Sequence, residues 1–310
     1  MRQIYFLILN YCTKEETIKC VQTIKELKGV RYKISIVIVD NNSNDNSYEE
    51  LRNIYKCDKT IILCQTEFNM GFSRGNNFGY QLIKREKDAD FIIVCNSDIE
   101  FRQKDFLTRM LEEYEMSKFH LCGPDVYCES DLNKGWKGHQ APAYPWESKY
   151  WFVKQGIWYN ALKLQYYENE KIANFIQYCM GWGIMKLFEG FIRILMKTKY
   201  KNYRVHRQEN IPLHGSCLII SREFIEREEK IFTPETEFYG EELLLYLKQQ
   251  RKEYRSVYTP TLRVWHMQGR ATSKEREKKK FICKNLKNSA EIFLNEINTK
   301  SCGRNGKINE

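Results

Sequence analysis

Short apolar runs alternate with polar stretches of helical period through the first 125 residues of the chain. Ile4–Asn10, Ile34–Val39 and Phe91–Cys95 are nearly unbroken apolar runs, the pattern of strands buried on both faces. A further strand is predicted near 60–64. Between the runs the period changes. Ile18, Val21, Ile24 and Leu27 recur at helical spacing. Thr13-Lys-Glu-Glu16 precedes them with the form of a capping box, and Gly29 is placed to stop the helix. Helices are also predicted around 47–56 and from about 73 to 85. Asp40-Asn-Asn-Ser-Asn-Asp-Asn-Ser47 is a turn-forming cluster. Strand and helix in alternation predict an α/β fold, a mostly parallel sheet covered on both faces. Ligands bind such sheets at the carboxyl ends of the strands, here the loops after Leu9, Val39 and Cys95.

From about 129 to 205 the pattern gives way to a stretch rich in Trp and Tyr. It closes with Gly181–Met196, where Lys186, Glu189 and Arg193 form a narrow polar stripe on an otherwise apolar helix. Order resumes at Pro212, with strands predicted at Ser216–Ile220 and about 256–265 and a helix from about Gly240 to Lys252. The tail carries Phe281, Ile282, Leu286, Ile292, Phe293 and Ile297 among lysines, again at helical spacing. The expected division is therefore 1–125, an insertion at 126–211, a second half of the same domain at 212–270, and a basic helical tail at 271–310.

Composition removes several classes. With 42% apolar residues, 29% charged, 6 Pro and 16 Gly, the chain is neither collagen-like nor largely disordered. No apolar run approaches the roughly 18 residues of a membrane-spanning helix. Ile4–Leu9 is too short for the core of a signal peptide. The eleven cysteines lack CxxC spacing and read as reduced thiols of a cytosolic protein rather than disulfides or a zinc site. The net charge of +10 is concentrated. Residues 181–207 hold seven Lys/Arg against one Glu, and 270–310 hold eleven against five. An anionic partner is expected at two places. Nucleic acid is disfavoured, because these residues form no recognition motif.

The candidate chemistry lies at the strand ends. Asp40 closes a buried strand, and its carboxylate can only accept hydrogen bonds. It would suit the N3–H of uracil or thymine; it would equally serve as an Asx-turn cap. Asn69-Met-Gly-Phe-Ser-Arg-Gly-Asn-Asn-Phe-Gly79 opens a helix with glycines four apart, neither GxGxxG nor a P-loop. Its glycines permit close approach of a ligand, with Arg74 and Asn76 in reach, or simply close helix packing. Asn96-Ser97-Asp98 follows an apolar strand, where an acidic side chain can hold a hard divalent cation together with ligand phosphates, or make a turn. Glu241 and Glu242 start a helix. Adjacent helical positions point about 100° apart, so one of the two can face a site as a general base, and a solvated helix start is the other reading. His266 ends an apolar strand in Val264-Trp-His-Met-Gln-Gly-Arg270. It is a candidate metal ligand or a structural histidine, with Arg270 a candidate diphosphate contact.

Taken in order and spacing, Asp40, Asn69–Gly79, Asn96-Ser97-Asp98, Gly215-Ser216-Cys217, Gly240-Glu241-Glu242 and Trp265-His266 resemble the family 2 glycosyltransferases with the GT-A fold. The likeness covers roughly 3–125 and 212–270, and Ile8-Leu9-Asn10-Tyr11 is similar to that family's nucleotide-binding first strand. Bacterial rhamnosyltransferase-like enzymes of cell-surface polysaccharide synthesis look most alike. The resemblance implies a donor site in which Asp40, Asn42, Asn10 and Tyr11 meet the base. Asn69, Gly71, Arg74, Asn76, Asn96, Gly215, Ser216 and Arg270 would contribute further substrate contacts. It implies Mg2+ or Mn2+ on Asp98 and His266, and Glu242 or Glu241 as the base. Asn96 stands where the family has the first Asp of Asp-x-Asp, and Glu242 where it commonly has Asp.

The expected reaction is a single inverting displacement from a UDP- or dTDP-sugar onto a hydroxyl of a glycan, probed against two alternatives: a non-catalytic nucleotide-sugar-binding module and a glycoside hydrolase. Gly181–Met196, followed by Lys197, Lys199, Lys201, Arg204 and Arg207, has the form of a helix lying in an anionic membrane surface. There it would meet a polyprenyl-diphosphate-linked acceptor. A buried helix or a homo-oligomer interface is the competing reading. The expected location is the cytoplasm, peripheral to the inner face of the membrane.

Overall fold

The computed structural model describes residues 1–27, 29, 31–129, 138–139, 205–236, 240–267 and 275–301. The first half runs β1 (Arg2–Asn10), α1 (Lys14–Lys25), β2 (Tyr32–Asp40), α2 (Ser47–Tyr55), β3 (Ile61–Gln65), α3 (Gly71–Glu86) and β4 (Phe91–Asn96). Then come β5 (Ile99–Glu100), α4 (Phe106–Ser117) and β6 (Leu121–Tyr127). Further along the chain follow β7 (Gln208–Glu209), β8 (Cys217–Ser221), α5 (Arg222–Arg227), α6 (Glu241–Lys252), β9 (Ser256–His266) and α7 (Glu275–Ser301).

Among the described residues the strands form one sheet in the order β3-β2-β1-β4-β8-β6-β9-β5, with β7 beside β9. The β1–β2, β1–β4, β2–β3 and β6–β9 pairs are parallel and account for the long ladders. β8 enters antiparallel between β4 and β6, and β5 pairs antiparallel with the end of β9. The expected α/β architecture with a mixed, mostly parallel sheet is what the chain adopts.

The apolar runs explain themselves once both sheet faces are covered. Leu7 and Val39 lie under Gly79 of α3. Ile8 and its β4 neighbour Cys95 face the other way, toward Cys20 of α1. Phe6, Phe101 and Phe106 stack edge to face on that second side, with centroids 5.2 and 5.1 Å apart. Ile4–Ile8 and Ile36–Val39 are buried throughout, so no polar alternation survives in them. The described cysteines are free thiols. A hydrogen bond with Cys95, together with burial, pushes the Cys20 thiol well above the ordinary range, and burial does the same to Cys217.

Two local expectations give way to tertiary contacts. The Thr13 hydroxyl makes no helix cap; it lies 3.3 Å from Asn10 Oδ1 and 2.9 Å from Ser97 Oγ. α1 ends at Lys25, ahead of Gly29. α4 and β6 went unassigned in the sequence reading. Gly123-Pro124 interrupts β6 as a strand signal, and the β6–β9 register shifts between Pro124 and Asp125.

The chain separates into two compact units. One comprises Met1–Pro145, Arg207–Glu237 and Glu241–Ala271; the other comprises Trp146–His206, Phe238–Gly240 and Thr272–Glu310. The sheet belongs to the first, and α7 to the second. Gly181–Met196 lies outside the described residues. No described helix is long and apolar enough to cross a membrane.

Candidate functional site

Parallel register brings Asn10 and Asp40 side by side at the carboxyl ends of β1 and β2, both fully buried. Asp40 Oδ2 accepts from Asn10 Nδ2 at 2.7 Å; Oδ1 accepts from Ser43 N at 3.0 Å and Gln65 Nε2 at 3.1 Å. Asp40 thus braces its own turn through Ser43 but does not cap α2, whose N-cap position is Asn46. Asn10 is engaged on both sides of its amide: it donates also to Ser43 Oγ at 3.2 Å and accepts from Thr17 Oγ1 at 2.8 Å. Tyr11 and Asn42 are exposed beside this pair, Asn42 with a left-handed φ of 59°. Burial, with the Asp40 carboxylate adding to it, pushes the Cys64 thiol up to about 12.

Asn41 ties the next loop down. It donates to Asn69 Oδ1 at 2.9 Å and Gly71 O at 3.2 Å, and accepts from Met70 N at 2.9 Å and Thr66 Oγ1 at 3.2 Å. Asn69 in turn accepts from Gly71 N at 2.9 Å, at the start of α3. The glycines beyond serve packing. A Cβ on Gly75 would lie 2.7 Å from Leu9, and one on Gly79 2.3 Å from Leu7 and 2.7 Å from Val39. Ser73 and Asn77 bond to Thr236 and Phe232 O, fixing the segment before α6. Exposed Arg74 donates from Nε to Pro234 O at 2.9 Å. Asn76 donates to Phe72 O, while its buried Oδ1 has no hydrogen-bond partner among the described residues.

The second cluster forms where β4 gives way to β5. Asn96 N donates to Ser216 O at 2.9 Å, which holds the loop before β8 against the end of β4. Ser97 Oγ meets Thr13 Oγ1, linking this loop to Asn10. Asp98 O accepts from Met267 N at 2.9 Å, and the β5–β9 register pairs Ile99 with His266. As a result Asp98 Oδ1 and His266 Nε2 come within 3.3 Å, each side chain still 13–15% exposed. These residues are 168 apart in the sequence numbering and meet as predicted.

Gly215 stands alongside. Among the described residues, a Cβ built there meets nothing within 4 Å except Glu242 Oε2, at 3.8 Å. The Glu pair is thus divided as helical geometry requires: Glu241 is buried, and half-buried Glu242 approaches Gly215. His214 was not singled out by sequence. Its ring centroid is 6.4 Å from that of His266, and its Nδ1 lies 2.8 Å from Ser216 Oγ. Its position next to Gly215-Ser216 was the available signal. Arg270 lies outside the described residues.

Among the described residues no three His, Cys, Asp or Glu side chains gather as a metal cage. The Asp98–His266 pair supplies two donors, a carboxylate oxygen and an imidazole nitrogen. Two protein donors fit a divalent cation that completes its shell with phosphate oxygens and water.

The family model described as glycosyl transferase family 2 matches residues 7–228. Among solved structures, GalNAc-T7 with UDP, GalNAc and Mn2+ is 13% identical, over 91% of this chain and 47% of that one, with a TM-score of 0.56. S. aureus TarS in complex with UDP-GlcNAc is 13% identical, over 47% of this chain and 37% of that one, with a TM-score of 0.36. The chain spans less than half the length of either structure. No curated protein matches the sequence.

Proposed function

The chain belongs to glycosyl transferase family 2 and has the GT-A architecture, and on that premise we propose that it moves a sugar from a UDP- or dTDP-sugar to a glycan hydroxyl with inversion. The observation that carries the reading is the Asp98–His266 pair, 3.3 Å apart at the carboxyl edge of the sheet. Gly215, on the loop that Asn96 holds, and Glu242, at the start of α6 beside it, support it.

Asp98 and His266 would hold Mg2+ or Mn2+, and the imidazole donor favours the softer Mn2+. A cation bound there supplies charge neutralisation to the departing diphosphate. Asp40 uses three of its roughly four acceptor sites inside the protein and retains one for the N3–H of a uracil or thymine ring. Tyr11 and Asn42 are the exposed groups beside that base, and Asn96 is the group for the ribose. Arg270 is the further diphosphate contact.

Glu242 takes the proton of the acceptor hydroxyl as that oxygen attacks C1 from the face opposite the leaving group. Glu241, being buried, sets the start of α6. The missing side chain at Gly215 leaves space next to the base for the reacting groups. The acceptor is a polyprenyl-diphosphate-linked glycan of a bacterial surface polysaccharide such as capsule or O-antigen. The basic segments 181–207 and 270–310 would draw the enzyme to the inner face of the cytoplasmic membrane.

A panel of UDP- and dTDP-sugars with lipid-linked and free glycan acceptors, read by mass spectrometry, tests the reading. The expected result is a product heavier by one sugar, its formation abolished by a chelator and restored by Mn2+. Donor binding with no transfer or hydrolysis for any sugar would favour the non-catalytic module instead.

A further inference from the structure

β3 closes one side of the sheet. Among the described residues its only strand neighbour is β2, which pairs with it in parallel register. Ile36 N donates to Thr60 O at 2.8 Å and Thr66 N to Asp40 O at 2.9 Å, and these two bonds set the alternation along the ladder. The backbone groups of Ile62 and Cys64 face β2; those of Ile61, Leu63 and Gln65 face outward. Ile61 N is engaged by Asp58 O at 3.1 Å. The N–H and C=O of Leu63, the C=O of Ile61 and the N–H of Gln65 have no protein partner among the described residues. Exposed edges are ordinarily defended by proline, a bulge or a lysine within the strand. Ile61-Ile-Leu-Cys-Gln65 carries none of these, and its ladder with β2 runs without a register shift. The surface around it is apolar as well. Ile62 is 44% exposed, and Ile54 of α2 and Phe68, just past the strand, are each 52% exposed.

We propose that this edge is a homodimer interface, in which β3 of one molecule pairs antiparallel with β3 of a second copy about a two-fold axis at Leu63. The inference is independent of the glycosyltransferase reading. The occupant follows from self-complementarity, the requirement of any two-fold contact. In that register the N–H and C=O of Leu63 bond to the same groups of the second Leu63. Gln65 N donates to Ile61 O of the second copy, and the reverse, so that four backbone bonds form. Ile62 comes opposite Cys64, an apolar cross-strand pair made twice. Lys59 falls opposite Glu67 at both ends, and both residues are exposed. Parallel in-register pairing would instead set Lys59 against Lys59 and Glu67 against Glu67. The charges therefore select a closed pair over an open stack.

Sedimentation equilibrium of the full chain over a wide range of concentration tests this. The expected wild-type species is a dimer that dissociates on dilution. Leu63→Pro removes an outward N–H that β2 does not use, so the fold should survive. The dimer dissociation constant should rise at least about a hundredfold. Lys59→Glu and Glu67→Lys should each raise it about three- to tenfold, and the double variant should return it to the wild-type value. A wild-type chain that stays monomeric at every concentration would overturn the inference. So would a dimer as tight in Leu63→Pro as in the wild type, or a double reversal no tighter than either single one. Should Leu63→Pro not fold, Ile62→Lys, a change at an exposed position, takes its place with the same expectation. Hydrogen exchange reads the edge itself: the Leu63 amide should be protected in the dimer and exchange freely on dilution. Equal protection at every dilution would mean that a segment of the same chain covers the edge, and would also overturn the inference.

Discussion

The two ends of the binding edge are built on opposite principles. Around Asp40 the polar side chains bond mainly to one another: buried Asn10 and Thr17, half-buried Ser43 and exposed Gln65 close a network around the carboxylate, and Asn41 fastens the Asn69–Gly71 loop beside it. Around Asp98 the groups stay partly exposed, Asp98 and His266 within 3.3 Å of each other and a glycine in place of a side chain beside Glu242. Saturated networks rigidify, and they hold a binding surface in register. Open clusters leave side chains within reach of a ligand. The difference teaches that a polar residue at a strand end is not for that reason a ligand contact, since Asn10 and Asn41 are held by bonds within the protein.

Substitutions at the two ends should therefore fail in different ways. Glu242→Gln should have the largest effect, lowering transfer by about 10²–10⁴-fold while nucleotide binding measured by calorimetry stays unchanged. Wild-type turnover in that variant would move the base to Glu241 or elsewhere. Gly215→Ala should melt with the wild type yet lose about 10²-fold in transfer, because the new methyl enters the space beside Glu242. Gly79→Ala should do the reverse: its methyl meets Leu7 and Val39, and overpacking should cost about 1–3 kcal/mol in denaturant unfolding. Asn41→Ala, which strands the Met70 N–H among others, should cost about 1–3 kcal/mol by the same measurement. Arg74→Ala should change stability by no more than about 0.5 kcal/mol, so any loss of nucleotide affinity it shows reports a direct contact. A large unfolding penalty for Gly215→Ala would erase the contrast between the two ends.

Much of this was legible in the chain. Unbroken apolar runs announced β1, β2 and β4, because strands covered on both faces need no polar positions. Asp40 and Asp98 stood out because each closes such a run. The reading of Asn69–Gly79 was divided between ligand approach and packing, and the contacts of Gly75 and Gly79 with Leu9, Leu7 and Val39 answer for packing. Other features depended on partners distant in sequence. Thr13 has the local pattern of a cap, yet Asn10 and Ser97 engage its hydroxyl. β6 is a strand in spite of Gly123-Pro124, since it pairs with β9 and β8. His214 gains its meaning only from Ser216 and His266, one beside it in the turn and the other supplied by β9.

The central claim is that Asp98 and His266 act together on a nucleotide diphosphate through a divalent cation. Titrating UDP and dTDP into the wild-type chain and into the Asp98→Ala, His266→Ala double variant, each with and without Mn2+, tests it most directly. The account predicts that wild-type affinity for one of the nucleotides rises when Mn2+ is added and that the double variant shows no such rise. Equal Mn2+ enhancement in both proteins would contradict it.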